Sequence, residues 1–157
     1  MRQPFTICLS ILLGCVLLFA GCGGSGQRAK PKDLPNLYPC VLTFTQEGVP
    51  LAEANIILHS DSKWSVGGLT NDKGEVNLVT NGFYDGVPEG TYKITVHKIV
   101  AVMNETTDNV AKQTDVIENN YKMETTTPLE ITIGKSDNNK TFDAGKAVSI
   151  NVPLDKD

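Results

Sequence analysis

The chain has 157 residues, 40% hydrophobic and 20% charged, which is enough apolar material for one packed domain and too short for two ordinary ones. The formal charge is −4. The first 21 residues hold one base and no acid, so residues 22–157 carry 13 bases against 18 acids, a net −5. That balance disfavours nucleic acid as a partner, because phosphate binding needs a basic face and lysines here are interleaved with acids.

Arg2 supplies a short positive start, Phe5 to Phe19 is nearly uncharged and apolar, and small residues Ala20 and Gly21 follow. This three-part layout predicts a cleaved secretory signal over residues 1–21. The apolar run falls short of the roughly 20 residues of a bilayer-spanning helix. Leu18-Phe19-Ala20-Gly21-Cys22 resembles the lipobox of bacterial lipoproteins. That resemblance implies a diacylglycerol thioether on Cys22, cleavage just before it, and attachment to the membrane through the lipid. Gly23 stands where an acidic retention residue would be, which points to the outer membrane. Cys8 and Cys15 fall in the removed segment, so Cys40 is left as the one thiol and no internal disulfide or cysteine metal cluster is available.

Residues 22–37 run from Cys22 through Gly-Gly-Ser-Gly into Pro and Lys, the composition of an anchored flexible linker. Residues 38–157 then read as short strands with turn signals between them. Tyr38, Cys40, Leu42 and Phe44 alternate with Pro39, Val41, Thr43 and Thr45, predicting a strand with Cys40 facing inward. Residues 46–51 hold Gly48 and Pro50 and read as a turn. Residues 54–60, Ala-Asn-Ile-Ile-Leu-His-Ser, read as a strand. Residues 61–68 read as a loop ending in Gly67-Gly68. Leu69-Thr70 and Glu75 to Thr80 flank Asn71-Asp72-Lys73-Gly74, the pattern of a hairpin. Asn81-Gly82 and Asp85-Gly86 mark a further turn region. Gly90 opens a strand to Ile99 in which Tyr92, Ile94 and Val96 share a face. Leu129 to Ile133 alternates again, 135–140 is a polar turn, and 147–154 is the last predicted strand. Residues 100–128 stand apart as an insertion. Val110, Thr114, Ile117 and Tyr121 recur there at helical spacing, predicting a short helix. About seven strands and no long helix imply an all-β, antiparallel sandwich.

Three stretches resemble the carboxypeptidase regulatory-like domain, a transthyretin-like (prealbumin-like) β-sandwich. They are residues 48–58, with a glycine–proline turn before an aliphatic strand; residues 70–76, with a threonine–acidic–glycine turn; and residues 86–96, where glycine and Tyr92 open a strand. Residues 117–133 are similar to small bacterial lipoproteins carrying that domain alone. The resemblance implies a fold and an accessory or adhesive role outside the cytoplasm, and it carries over no catalytic site.

Candidate chemistry is sparse. His59 and His97 are the two histidines, with His97 expected to face solvent, and they lack the close spacing of a metal pair. Tyr38, Tyr84, Tyr92 and Tyr121 could complete a two-His, two-Tyr iron site only if the fold gathered them. Asp61, Asp72, Glu75, Asp85 and Glu89 cluster near turns without the spaced pattern of a calcium loop. Trp64 and Tyr84 are candidate binding residues that could stack on a sugar. Asn104 and Asn139 match the glycosylation pattern by chance. No catalytic residue, metal or cofactor is predicted. The expectation is a non-catalytic envelope lipoprotein whose partner is an envelope protein or polysaccharide; the alternatives are a carbohydrate-binding module using Trp64 and a small metal-dependent extracytoplasmic enzyme.

Overall fold

A computed structural model of the chain describes residues 29–103 and 110–149. The predicted signal, Cys22, Asn104 and residues 150–154 of the last predicted strand lie outside them. The chain divides between Pro31 and Lys32 into two units, and the second carries every element among the described residues.

The elements are β1 (Leu37–Tyr38), β2 (Val41–Gln46), β3 (Val49–Pro50), β4 (Asn55–His59), β5 (Val66–Leu69), β6 (Glu75–Asn77), β7 (Val79–Thr80), β8 (Tyr84–Asp85), β9 (Val87–Pro88), β10 (Gly90–His97), β11 (Ile99–Met103), β12 (Val110–Asp115), α1 (Asn119–Lys122), β13 (Glu130–Ile133) and β14 (Lys140–Asp143). A six-stranded sheet runs β13-β10-β4-β5-β7-β8, and a smaller sheet has β2 at its centre with β14 on one side and β3 and β6 on the other. Two-stranded pairs β1–β9 and β11–β12 complete the set.

The expected all-β, mostly antiparallel, sandwich-like architecture is what the chain forms, because period-2 alternation gives both sheets one apolar face. Leu42 and Phe44 from β2, Val76 from β6 and Phe142 from β14 meet Ile56 and Leu58 of β4, Tyr92, Ile94 and Val96 of β10, and Ile131 and Ile133 of β13 in one buried cluster. Phe142 stacks on Phe44 with centroids 5.6 Å apart. Each fully buried aliphatic side chain contributes roughly 1.5–3 kcal/mol. Tyr92 is 2% exposed, and its hydroxyl donates to the Pro88 carbonyl at 2.9 Å, closing the corner where β10 begins.

Buried polar groups are mostly bonded, as burial requires, with Thr114 Oγ1 in β12 the exception among the described residues. Thr70 Oγ1 donates to Leu51 O at 2.6 Å and accepts from Ala54 N at 2.8 Å. Thr80 Oγ1 donates to Gly86 O at 2.7 Å. Asn138 donates through Nδ2 to Pro39 O and Gly134 O and accepts from Gly134 N at 2.9 Å.

Several expectations are corrected. Fourteen short strands among the described residues replace about seven, because single runs are split between sheets. The turn at 71–74 forms, with Gly74 N donating to Asn71 O at 2.8 Å, but its arms do not pair as a hairpin. β6 pairs β2 and β7 pairs β5, so the chain crosses between sheets at Leu78. Gly67 and Gly68 lie in β5 and not in a loop. A Cβ on Gly67 would stand 2.7 Å from Ile56 O, and one on Gly68 would stand 2.6 Å from Val76 Cγ2, so glycine here answers close packing. β14 was not predicted, and it pairs β2 in parallel, not antiparallel. Residues 147–149 form no strand, although Val148 N donates to Val116 O at 3.0 Å. Leu37, placed in the linker, pairs with Pro88. The helical stripe fails in part: Val110 and Thr114 lie in β12, Ile117 is a buried connection, and Tyr121 alone sits in the one-turn α1.

Candidate interaction surface

Residues 100–128 divide into two parts with different jobs. β10 leaves the large sheet after His97 and continues as β11, which pairs antiparallel with β12 from Ile99↔Asp115 through Val100↔Thr114 and Ala101↔Gln113. This ribbon belongs to neither sheet. Its base is fastened by Asp115, whose Oδ1 accepts from Lys98 N at 3.2 Å and Ile117 N at 3.0 Å, while Oδ2 lies 3.0 Å from His97 Nδ1. Val116 N donates to Lys98 O at 2.9 Å.

The second part, residues 116–128, covers the sandwich. Ile117 is fully buried in the core, and Thr127 Oγ1 donates to Ile94 O at 2.6 Å. Glu124 Oε2 stands 3.7 Å from His59 Nδ1, and His59 Nε2 bonds the buried Thr95 Oγ1 at 2.8 Å. The outer face of β10 is therefore closed at Thr95, which alternation alone would have turned to solvent.

The ribbon carries no such cover among the described residues. Ile99 is 58% exposed, and Ala101 is exposed. β11 reads Ile-Val-Ala-Val-Met and contains no charged residue. Outside both sheets, an uncharged strand with Ile99 and Ala101 exposed is a candidate surface for strand or side-chain contact.

The sequence-predicted residues fall as follows. His97, expected to face solvent, is half-buried: its side chain keeps 34% exposure while Nδ1 lies against Asp115 of β12. His59 and His97 each meet a carboxylate of the 99–128 segment, so both act as fasteners in this fold. Among the described residues no group of three or more His, Cys, Asp or Glu is placed to hold a metal ion. Asp61, Asp72, Glu75, Asp85 and Glu89 are all exposed. Trp64 is half-buried, with the Lys63 ammonium 4.9 Å from its ring centroid, and Lys63 also pairs with Asp33. The Lys63 bond holds the exposed Asp33 carboxyl below the usual range. Tyr84 is half-buried and meets Phe83 edge-on at 6.5 Å. The Trp64 loop and the Phe83 turn are joined, since Ser65 N donates to Asn81 Oδ1 at 3.1 Å and Asn81 N to Ser65 O at 2.7 Å. Phe83, missed in the sequence, is 59% exposed.

Cys40 is 3% exposed, as its inward position predicts, and its thiol donates to Asn138 O at 3.2 Å. Burial pushes that thiol's pKa up to about 11, because the thiolate would lose its water. Burial likewise raises the Tyr92 phenol, with a Ser60 hydrogen bond acting the other way. A polar recess of about 370 Å³ lies along the outer edge of β13, lined by Glu130, Thr132, Asp137, Asn139 and Lys140 among others. Its opposed charges leave it near neutral, and Glu130 is engaged by Lys93 at 2.9 Å.

Comparison of the chain with protein-family models, curated proteins and solved structures finds no match in any of the three.

Proposed function

We propose that this protein is a non-catalytic bacterial envelope lipoprotein that presents a transthyretin-like interaction module to an envelope partner. A lipid on Cys22 would anchor it, and the stretch after Cys22 would hold the module away from the membrane. The resemblance of residues 18–22 to a lipobox supports the anchor, and the ordered matches over residues 48–96 support the fold assignment. One observation carries the function: β11, an uncharged strand with Ile99 and Ala101 exposed, stands outside both sheets. The ribbon is thus the contact surface, on a sandwich whose interior chemistry serves packing.

Two experiments test this. Cys22→Ser should leave the precursor unprocessed by the lipoprotein peptidase, and a normally lipidated product would refute the anchor. Crosslinking in intact envelope, followed by capture of the protein, should yield a defined adduct. That adduct should vanish when residues 100–114 are replaced by Asn-Gly. An adduct that survives the replacement would place the contact elsewhere, and glycan capture depending on Trp64 would favour the sugar-binding alternative.

A further inference from the structure

We propose that the end of the sandwich carrying Trp64 and Phe83 rests on the lipid bilayer, with these rings at the headgroup boundary and the ribbon at the opposite end. This rests on the reading of Cys22 as the anchor and adds which part of the domain meets the membrane.

The first argument is where two turns lie. Val66 pairs with both Leu58 and Thr80, so the loop after β4 and the turn after β7 leave the large sheet side by side. Ser65 N donates to Asn81 Oδ1 and Asn81 N to Ser65 O, which joins them. Phe83 in the turn is 59% exposed, and Trp64 and Tyr84 are half-buried. β4 runs antiparallel to β10, with His59 opposite Lys93 and Asn55 opposite His97. The loop after His59 therefore lies at the end where β10 begins, and the ribbon leaves from the other. β10 spans eight residues, which puts about 23 Å between the two ends.

The second argument is where the chain enters. Asp33 pairs with Lys63, the neighbour of Trp64. Leu37 and Tyr38 then pair with Pro88 and Val87, just ahead of β10. Asp33 stands eleven residues after Cys22, a reach of at most about 40 Å. A chain anchored at Cys22 thus draws this end to the bilayer and holds the ribbon off it.

The third argument is chemical. Trp and Tyr settle at membrane interfaces because each joins an apolar body to a polar tip, and Phe adds apolar area. Lys63 fits the same boundary, since its ammonium lies 4.9 Å from the Trp64 ring centroid on an apolar stem. A sugar ring would want a flat aromatic platform, whereas the Phe83 and Tyr84 rings meet at 72°. Exposed Asp61, Asp85, Glu89 and Lys135 mix both signs at this end, so the contact draws on apolar burial and not on anionic lipid.

Trp64 is the chain's single tryptophan, so its fluorescence reports on this end alone. The test uses the full-length protein, purified from the envelope, in phosphatidylcholine vesicles whose acyl chains are brominated near the headgroup. The protein should float with the vesicles, and bromine should quench Trp64. Phe83→Asp should still float and keep its urea midpoint, but lose roughly half or more of the quenching. Flotation without quenching overturns the proposal and leaves the anchor standing. Failure to float overturns the anchor and the proposal with it. Quenching unaltered in Phe83→Asp, or confined to phosphatidylglycerol vesicles, overturns an apolar contact at Phe83. Protection of Trp64 by an envelope glycan in place of lipid overturns the proposal in favour of the sugar-binding alternative.

Discussion

β10 and β11 are consecutive strands of one extended run, and they meet opposite fates. Tyr92, Ile94 and Val96 are buried on one side of β10, and on the other side Thr95 is buried against His59. β11 is more uniformly apolar, yet Ile99 is 58% exposed. Strand formation is therefore a local matter of side-chain type, whereas burial depends on what else the chain brings to that place. The sandwich buries one continuous core while leaving Val49, Leu69 and Phe83 exposed, and the ribbon exposes Ile99 and Ala101 outside both sheets.

The comparison makes graded predictions. The largest effect belongs to the sandwich. Gly74 has φ +75° and a Cβ there would stand 2.2 Å from Phe44 O, so Gly74→Val should cost at least about 3 kcal/mol in urea unfolding. An unchanged midpoint would mean the Asn71–Gly74 turn does not organise the crossing between sheets. Tyr92→Phe removes the bond to Pro88 O and leaves that carbonyl without its partner, for a loss of about 1–2 kcal/mol by the same measurement.

Acid titration gives a smaller effect. The Thr45 hydroxyl at 2.8 Å, then backbone donors including Gly48 and Gly145, hold the Asp143 carboxyl below the usual range. A lowered value in the folded state stabilises above the ordinary carboxyl pKa of about 3.9, and that contribution is lost as pH falls through the folded value. Thr45→Ala should flatten the acid limb of the stability profile, and an identical limb would count against the bond. Cys40 should resist thiol reagents at pH 8 until the protein unfolds, since its thiol titrates near 11. Reaction in the folded state would contradict its burial. The smallest effect lies on the ribbon, where Ala101→Lys should move stability by less than about 0.5 kcal/mol.

The same contrast explains what could be read from the residues. The Asn71–Gly74 turn, the inward Cys40 and the buried face of β10 were legible because turn chemistry and alternation are local. Asn81-Gly82 also forms a tight turn with φ of +52° and +72°, as its sequence suggests. The sheet membership of residues 75–80 is not legible in the sequence, because β6 pairs with β2, far back along the chain, while β7 pairs with its neighbours β5 and β8 in the other sheet. Gly67-Gly68 looked like a loop, since the close approach of Ile56 and Val76 is invisible in sequence. Asn138 passed as one polar residue of a turn, although it is 7% exposed and binds the backbone of Pro39 and Gly134. The ribbon was hidden for the same reason: β11 and β12 are ordinary strand material, and only the fold leaves them outside both sheets.

The central claim is that the ribbon is separable from a self-sufficient sandwich. Replacing residues 100–114 with Asn-Gly keeps Asp115, Ile117 and Thr127, which fasten the cover of β10. Urea unfolding of that variant against the intact protein is the most direct measurement. The account predicts a cooperative transition within about 1 kcal/mol of the original, because no described side chain of 100–114 belongs to the buried cluster. Loss of the transition, or a drop of more than about 3 kcal/mol, would show that the ribbon is part of the core's support and not a surface held outside it.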